Sequence, residues 1–266
     1  MTPVALTIAG SDSGGGAGIQ ADLRTFAFHG VHGTSAITCV TAQNTVEVTQ
    51  VAAMETSMVG EQIATVVKDI RIDAVKTGML FNQGIIEEVA AKISQYNLKN
   101  LVVDPVMVTR AGVKIIDDHA IESLTKLLFP QALIVTPNRY EAQILSKIEI
   151  NNLEDMKQAT QLIHEQLQAQ VVLIKGGSMA GKLQGVDVFY DGAQWKILTG
   201  EIVNTQNTHG TGCTLSAAIA ANLAKGKDLF TAVQLGKNYL TTALKYALDI
   251  GQGSGPVGHF FPILST

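Results

Sequence analysis

The segment from Asn207 to Cys213, Asn-Thr-His-Gly-Thr-Gly-Cys, has the composition of an anion-binding loop at the start of a helix. Small residues follow its two glycines and favour a helix over Thr211–Ala224. Backbone N–H groups at a helix start attract anions, and the helix dipole adds to this attraction. The sequence holds no GxxxxGK[S/T] motif, so the loop is not a Walker A loop. The residues that we predict to bind phosphate are Asn207, Gly210, Thr211 and Gly212.

Cys213 falls in the first turn of this predicted helix. A helix start can lower the pKa of a thiol well below its ordinary value of about 8.5, so that the thiol ionises more easily. The pattern favours a reactive cysteine, and we predict that Cys213 acts as a catalytic base. A buried structural cysteine is the alternative interpretation. His209 beside it has two interpretations that the sequence leaves open, a hydrogen-bonded scaffold group or a member of the site.

A second glycine-rich segment, Gly10-Ser-Asp-Ser-Gly-Gly-Gly-Ala-Gly-Ile-Gln-Ala-Asp22, follows a predicted strand and precedes a helix. It loosely matches a dinucleotide fingerprint, which requires an acidic residue roughly 20 positions later. The stretch from Arg24 to Val46 contains none, so a nicotinamide oxidoreductase is disfavoured. Glycines let the backbone approach a flat ligand closely. We therefore place Ala17 and Asp22 near a ligand, while a tight turn and a surface ion pair at Asp22 are the alternatives.

Two carboxylates and a lysine complete the candidate chemistry. Asp104 ends a predicted strand before a proline, and Glu141 follows Asn138 at the start of a helix. Mg²⁺ takes one or two carboxylates together with substrate phosphates, which these two acids would suit. Glu141 has an alternative as a helix N-terminal acid, and Asp104 as a turn residue. Lys175 ends another strand, and we predict a phosphate contact there rather than a plain salt bridge.

Short apolar runs and amphipathic helices must position these residues. Five short apolar runs predict buried parallel strands, and six segments show the spacing of amphipathic helices. Their alternation predicts an α/β fold whose strands share one ligand-binding edge. Gly185–Tyr190 and Gln194–Leu198 flank Asp191-Gly192 and predict an antiparallel edge hairpin. The predicted strands are Val4–Ala9, Ile72–Lys76, Leu101–Val103, Ala132–Val135 and Val171–Ile174; the predicted helices are Thr56–Ile70, Gln83–Tyr96, Asp117–Leu128, Leu153–Leu167, Thr211–Ala224 and Leu229–Leu248.

Composition excludes several classes of protein. The 266 residues include 46% hydrophobic and 16% charged residues, which is typical of a globular chain, and we expect one domain over residues 1–266. The net charge is −4 and no Lys/Arg cluster occurs, so we expect no nucleic-acid partner. No stretch resembles a membrane span or a secretory signal. The two cysteines, Cys39 and Cys213, lack metal-ligand spacing. We therefore expect a cytoplasmic protein.

Together these motifs resemble the ribokinase-like superfamily, and most closely its hydroxymethylpyrimidine/phosphomethylpyrimidine kinases. The resemblance implies a three-layer α/β/α fold, phosphorylation of a pyrimidine alcohol and then of its monophosphate in thiamine synthesis, ATP, Mg²⁺ and a homodimer. The matching stretches run in family order through nearly the whole chain: Leu6–Asp12, Gly15–Asp22, Ala42–Asn44, Lys76–Met79, Asp104–Met107, Thr136–Asn138, Lys175–Gly177 and Asn207–Cys213.

The resemblance also implies residue roles. Gln43 would bind the aminopyrimidine, with Ala17, Asp22 and Met79 beside the substrate. Gly210 to Gly212 would form the anion hole, and Cys213 would be the base. The remaining implied residues are Asp104 and Glu141 near the metal, and Lys175 and Lys237 at the phosphates. Sugar kinases of the superfamily carry an aspartate at the position of Cys213, which disfavours a sugar substrate here. Gly258 stands where many relatives have a histidine.

Two alternatives to this function remain open from the sequence. A pyridoxal kinase of the same superfamily would accept a substrate with a phenolic oxygen in place of the amine. A nucleotide- or vitamin-binding regulator would bind its ligand without turning ATP over, which the anion loop and Cys213 disfavour.

Overall fold

One nine-stranded sheet runs through the part of the chain that the computed structural model describes, residues 1–108 and 114–264. Its strand order is β3-β2-β1-β4-β5-β6-β7-β8-β9. The strands are β1 (Val4–Asp12), β2 (His32–Gln43), β3 (Val48–Ala53), β4 (Ala74–Thr77), β5 (Leu101–Val103), β6 (Ile134–Val135), β7 (Val172–Ile174), β8 (Asp187–Tyr190) and β9 (Trp195–Leu198). Neighbours from β2 to β7 pair in parallel, whereas β3, β8 and β9 pair antiparallel.

Helices connect the strands and cover both faces of the sheet. They are α1 (Gly18–Phe28), α2 (Thr56–Asp69), α3 (Gln83–Gln95), α4 (Asp118–Ser123), α5 (Arg139–Ser146), α6 (Leu153–Leu167), α7 (Thr211–Ala224) and α8 (Leu229–Lys245). A π-helical turn over Leu124–Leu128 continues α4. Side-chain oxygens accept from backbone N–H groups at several helix starts, as Asp228 does from Thr231 N at α8. None of the helices in the described residues is long and apolar enough to span a membrane.

Alternation along the strands creates two cores. Leu6 and Ile8 of β1 pack with residues of α2, α3, α5 and α6 on one face of the sheet. Ala5 of β1 and Ala74 of β4 lie on the other face, packed with residues of α1, α7 and α8. Because successive strand residues point to opposite faces, strands buried on both sides must be apolar throughout. The three-layer α/β/α fold with a mostly parallel sheet and an edge hairpin is therefore confirmed.

The structure also corrects the element bounds. β1 continues past Ala9 to Asp12, so that aspartate ends a strand rather than opening a loop. Neither β2 nor the antiparallel strand β3 at the other edge was predicted; the residues of β3 are mostly exposed and lack a buried face. Helix α8 ends at Lys245, before the predicted Leu248, because Leu248 N donates to Pro256 O in the C-terminal segment. β5, α6 and α7 have the predicted bounds.

Parallel pairing brings the carboxyl ends of six strands to one edge of the sheet, where ligands bind in open α/β folds. The residues at or just after those ends are Asp12, Gln43, Thr77, Asp104, Thr136 and Lys175. The loop before α7 reaches the same edge, since Gly210 lies so close to Gly16 O that a Cβ there would collide with it.

Candidate active site

A cleft of about 510 Å³ lies at this edge of the sheet. Lys175 and the anion loop contribute to its walls, together with apolar residues of α7 and α8 such as Leu215 and Leu240. Nine of the predicted site residues line the cleft: Ala17, Asp104, Glu141, Lys175, Gly210, Thr211, Gly212, Cys213 and Lys237. The tertiary structure therefore brings together residues that are as much as 220 positions apart in sequence (237 − 17).

The anion loop is built as its sequence predicts. Gly210 precedes α7 with φ +84°, a left-handed conformation that suits glycine, and its carbonyl accepts the first helical hydrogen bond from Thr214 N. The first N–H groups of a helix have no partner within the helix. The start of α7 therefore presents backbone donors to the cleft, which is the arrangement that binds a phosphate.

Cys213 lies in the first turn of α7, half-buried in the wall of the cleft. Burial raises the pKa of its thiol to about 11, although the nearby Lys76 ammonium opposes this shift. The prediction of a thiol that ionises easily is therefore wrong for the free protein. The helix start favours a thiolate, but the loss of hydration outweighs it because protein atoms surround the sulfur.

Asp104 and Lys175 form an ion pair in the wall of the cleft. Lys175 Nζ lies 2.8 Å from Asp104 Oδ1, and Ser216 Oγ donates to Asp104 Oδ2 at 3.1 Å. Burial opposes the charge on Lys175, but Asp104 and Glu141 raise the pKa of the ammonium above its usual value. Lys175 therefore brings a fixed positive charge to the cleft next to the loop at Gly212, as a phosphate site requires.

Glu141 is buried, and both of its carboxylate oxygens accept hydrogen bonds from backbone N–H groups. Oε2 accepts from Asn138 N in a capping box at the start of α5, and Oε1 accepts from Met107 N. Burial raises the pKa of this carboxyl. The alternative of a helix N-terminal acid is thus what the structure shows, although Glu141 also borders the cleft.

The donor set fits a magnesium ion that is shared with a nucleotide. Within residues 1–108 and 114–264, no group of three or more His, Cys, Asp and Glu could hold a metal by itself. Asp104 borders the cleft and, among the described residues, accepts one side-chain hydrogen bond on each oxygen, which leaves lone pairs on both. Mg²⁺ needs only one or two carboxylates when phosphates and water complete its shell.

Asp22 does not line the cleft, contrary to its predicted place beside the substrate. Its side chain is fully buried, Oδ2 lies 2.7 Å from Lys76 Nζ, and Thr7 Oγ1 donates to the same oxygen. Asp22 holds the Lys76 ammonium and raises its pKa despite the burial of the lysine. Sequence reasoning missed this role of Lys76, whose signal is a lysine within the otherwise apolar strand β4.

Lys237 lines the cleft but already has two acceptors. Its Nζ lies 2.6 Å from Asp187 Oδ2 and donates to Gly185 O at 2.6 Å. Asp187 Oδ1 also accepts from Gly176 N, so Asp187 connects Lys237 of α8 to the segment that follows β7. A phosphate contact of Lys237 stays a prediction.

Met79, Gln43 and Asn207 lie outside the lining of the cleft. The Met79 methyl group packs against Gly10 on β1. Asn207 accepts from Gly255 N at 2.9 Å, so its side chain holds the C-terminal segment instead of facing the phosphate position. Gly258 in that segment has no room for a side chain because a Cβ would collide with Tyr246 O.

Gln43 and the glycine-rich loop are joined to the anion loop through His209. Asp12 accepts from Gly14, Gly16 and Ala17 N and from His209 Nε2 at 2.9 Å. Burial opposes the charge on Asp12, but these hydrogen bonds hold its pKa below the usual value. The scaffold interpretation of His209 is thus supported, and Asp12 is the anchor of the loop.

The sequence profile of the phosphomethylpyrimidine kinases matches residues 12–258. The chain belongs to the phosphomethylpyrimidine kinase family. It is a kinase with the ribokinase-like fold, and the predicted fold and enzyme class are confirmed.

Relatives with two different activities resemble this chain. The hydroxymethylpyrimidine/phosphomethylpyrimidine kinase of Synechococcus elongatus is 54% identical over 98% of this chain and 98% of its own. The pyridoxine kinase of Bacillus subtilis is 43% identical, over 96% and 95% of the two chains. The crystal structure of an ADP complex of Bacillus subtilis pyridoxal kinase superposes with a TM-score of 0.91 and 42% identity, over 97% and 98%. These matches support ATP as the phosphoryl donor.

Proposed function

We propose that this kinase transfers the γ-phosphoryl group of ATP to the hydroxymethyl group of 4-amino-5-hydroxymethyl-2-methylpyrimidine, and then phosphorylates the monophosphate to the diphosphate in thiamine synthesis. The arrangement of the cleft carries the proposal. The anion loop, Cys213 and the Asp104–Lys175 pair share one wall, and His209 connects the loop to Gln43. The similarity to the Synechococcus elongatus enzyme supports this choice of substrate.

The transfer requires positioning and charge neutralisation more than covalent chemistry. The hydroxymethyl oxygen forms the new O–P bond as the bond between the β- and γ-phosphates breaks and the alcohol loses its proton. Backbone N–H groups at the start of α7 and Lys175 neutralise the phosphoryl oxygens. Asp104, beside Glu141, would hold Mg²⁺, which would supply further positive charge at the phosphates.

We assign the proton of the alcohol to Cys213, which stands beside the anion loop. The thiol is protonated in the free protein because burial raises its pKa to about 11. The role of base therefore requires that the thiol ionise in the complex with ATP and substrate. If Cys213 is the base, Cys213→Ser lowers kcat by about 10²- to 10⁴-fold while ATP still binds. A loss below about threefold at saturating substrates contradicts this role.

A second candidate is a pyridoxal or pyridoxine kinase, favoured by the similarity to the Bacillus subtilis pyridoxine kinase. ADP release measured with the pyrimidine, its monophosphate, pyridoxal and pyridoxine separates the two. We expect the highest kcat/KM for the pyrimidine. A higher kcat/KM for pyridoxal overturns our proposal, and binding of a ligand without ADP release indicates a regulator.

We also propose that the chain works as one domain over residues 1–266 and as a cytoplasmic homodimer. The exposed edge strand β3 and the turn before it carry Val46 and Val48, which are 64% and 50% exposed. An edge strand with exposed valines favours pairing with another chain. Light scattering after size exclusion tests the dimer, and a monomeric mass at micromolar concentration contradicts it.

A further inference from the structure

Three side chains from distant segments meet beside the glycine-rich loop. Asp12 ends β1, Gln43 ends β2, and His209 precedes α7. His209 Nε2 lies 2.9 Å from Asp12 Oδ2, and Gln43 Nε2 lies 3.4 Å from the same nitrogen. Each group is polar and partly buried, so its hydrogens and lone pairs must find compatible partners.

The first of these contacts fixes the hydrogen on His209. The Asp12 carboxylate already accepts from three backbone N–H groups of the loop, and an ionised carboxylate can only accept. His209 Nε2 therefore carries a hydrogen and donates it towards Asp12. A Gln43 nitrogen facing this N–H would set two donors against each other, so the amide must turn its oxygen towards His209.

The other end of the amide is compatible with the same orientation. Thr41 Oγ1 lies 3.0 Å from Ser11 O and 3.1 Å from Gln43 Oε1, the position that the amide nitrogen takes when the amide is turned. Ser11 O can only accept, and when Thr41 donates its one hydrogen to that carbonyl, the hydroxyl oxygen is left to accept. Thr41 Oγ1 then accepts from the amide nitrogen of Gln43. The two amide orientations have the same shape, so the hydrogen bonds alone select between them.

We propose that His209 is a positioning residue that fixes the Gln43 amide with its oxygen towards His209 and its nitrogen towards Thr41. This inference rests on the proposed function. The held amide offers one acceptor and one donor in a fixed order. A ring nitrogen beside an amino group matches that order, as the adenine edge matches an amide. A ligand with a phenolic oxygen in place of the amine meets the amide oxygen, so the orientation selects the aminopyrimidine against pyridoxal.

The backbone around His209 is secured independently of the imidazole. His209 N donates to Gly255 O at 3.0 Å, and Val257 N donates to His209 O at 3.2 Å. The ring packs against Gly16, where a Cβ would collide with it. A change of the side chain alone therefore leaves the path of the anion loop in place.

The test compares two substitutions at position 209. His209→Leu removes the donor, whereas His209→Gln restores an N–H near the place of Nε2. We expect His209→Leu to lower kcat/KM for the pyrimidine by about 5- to 150-fold, the effect of leaving a polar contact unmade. The ratio of kcat/KM for pyrimidine to that for pyridoxal falls with it, the KM for ATP stays unchanged, and His209→Gln recovers the ratio.

A double variant shows whether His209 acts through Gln43. Gln43→Ala lowers kcat/KM for the pyrimidine, and adding His209→Leu lowers it no further, because the group that is positioned has gone. His164→Leu is the matched control, since His164 lies in α6 and packs against Tyr190 of β8. It leaves the substrate ratio unchanged.

Three outcomes overturn the inference: an unchanged substrate ratio in His209→Leu, an equal rise in the KM for ATP, or additive losses in the double variant. If His209→Leu does not fold, Thr41→Val removes the other partner of the amide and must lower the same ratio; an unchanged ratio there also overturns it. A wild-type chain that does not phosphorylate the pyrimidine contradicts the proposed function itself. Activity on the pyrimidine with an unaltered ratio contradicts only the role of His209.

Discussion

Two lysine–aspartate pairs stand at the ends of neighbouring strands, and they differ in their access to water. In the first pair, the side chains of Asp22 and Lys76 are both fully buried. The Asp104–Lys175 pair borders the cleft, with 13% of the lysine side chain and 4% of the aspartate side chain exposed. Among the residues that the structure describes, Asp22 Oδ1 in the buried pair has no hydrogen-bond partner. The same chemistry thus serves two purposes, a closed internal charge pair and an ammonium that a phosphate can reach.

Cys213 lies between the two pairs. Lys76 lowers the pKa of its thiol and Lys175 interacts with it electrostatically, whereas Asp22 and Asp104 raise that pKa. The comparison teaches that exposure, rather than residue type, decides which pair takes part in binding. The buried pair acts on folding and on the charge of the thiol, and the cleft pair acts on the substrate.

The largest effect is expected from Lys76→Met on the free energy of unfolding. Removal of one partner leaves the buried Asp22 uncompensated, which costs about 3–5 kcal/mol. Urea unfolding followed by circular dichroism measures the change.

The matched control is the double variant Asp22→Leu/Lys76→Met, which removes both charges. It recovers most of the lost stability because two apolar groups carry no desolvation cost. A single variant as stable as the wild type would contradict the closed nature of this pair.

Lys175→Met is expected to act on catalysis instead. The loss of a charge that stabilises the transferring phosphoryl group lowers kcat by about 10²- to 10³-fold. The midpoint of urea unfolding changes less than in Lys76→Met, because Asp104 retains the hydrogen bond from Ser216 and borders the cleft. Steady-state ADP release and urea unfolding of both variants test the comparison, and equal effects on stability would break it.

The smallest effect concerns the ionisation of Cys213. Below its pKa of about 11, the rate of alkylation by iodoacetamide rises with pH because only the thiolate reacts. Loss of the cation in Lys76→Met raises the thiol pKa, and loss of the anion in Asp22→Asn lowers it. A shift of about one unit, or about 1.4 kcal/mol, changes the rate about tenfold at pH 8.5.

The two substitutions should therefore have opposite signs in this measurement, although both break the same ion pair. Mass spectrometry of the Cys213 peptide separates its alkylation from that of the buried Cys39. Shifts of the same sign would mean that the pair acts on Cys213 only through packing.

Much of the fold follows from local sequence patterns. The runs Leu101–Val103 and Thr211–Ala224 form the predicted strand and helix with the same bounds, because a buried strand must be apolar throughout and small residues favour a helix after glycine. β3 could not be found in this way. Its side chains are mostly exposed, so pairing with β2 rather than burial of a face makes it a strand.

The candidate site divides in the same manner. Gly210 to Cys213 were predicted from a glycine motif at a helix start, and Asp104 and Lys175 from strand ends; all of these residues line the cleft. Asp22 was misplaced because the sequence shows an acid near a glycine loop but not the lysine that β4 brings against it. The thiol pKa of Cys213 was misjudged because the helix start is visible in the sequence, while the burial of the sulfur is not.

The sequence by itself determined most of the strands and helices, the anion loop and the residues at several strand ends, since these depend on periodicity and on glycine positions. Only the tertiary structure decided which of those residues face the cleft. Exposure and pKa depend on all the elements packed around a group, as the contrast between Lys76 and Lys175 shows. The joining of Asp12, Gln43 and His209 likewise requires three segments that the sheet brings together.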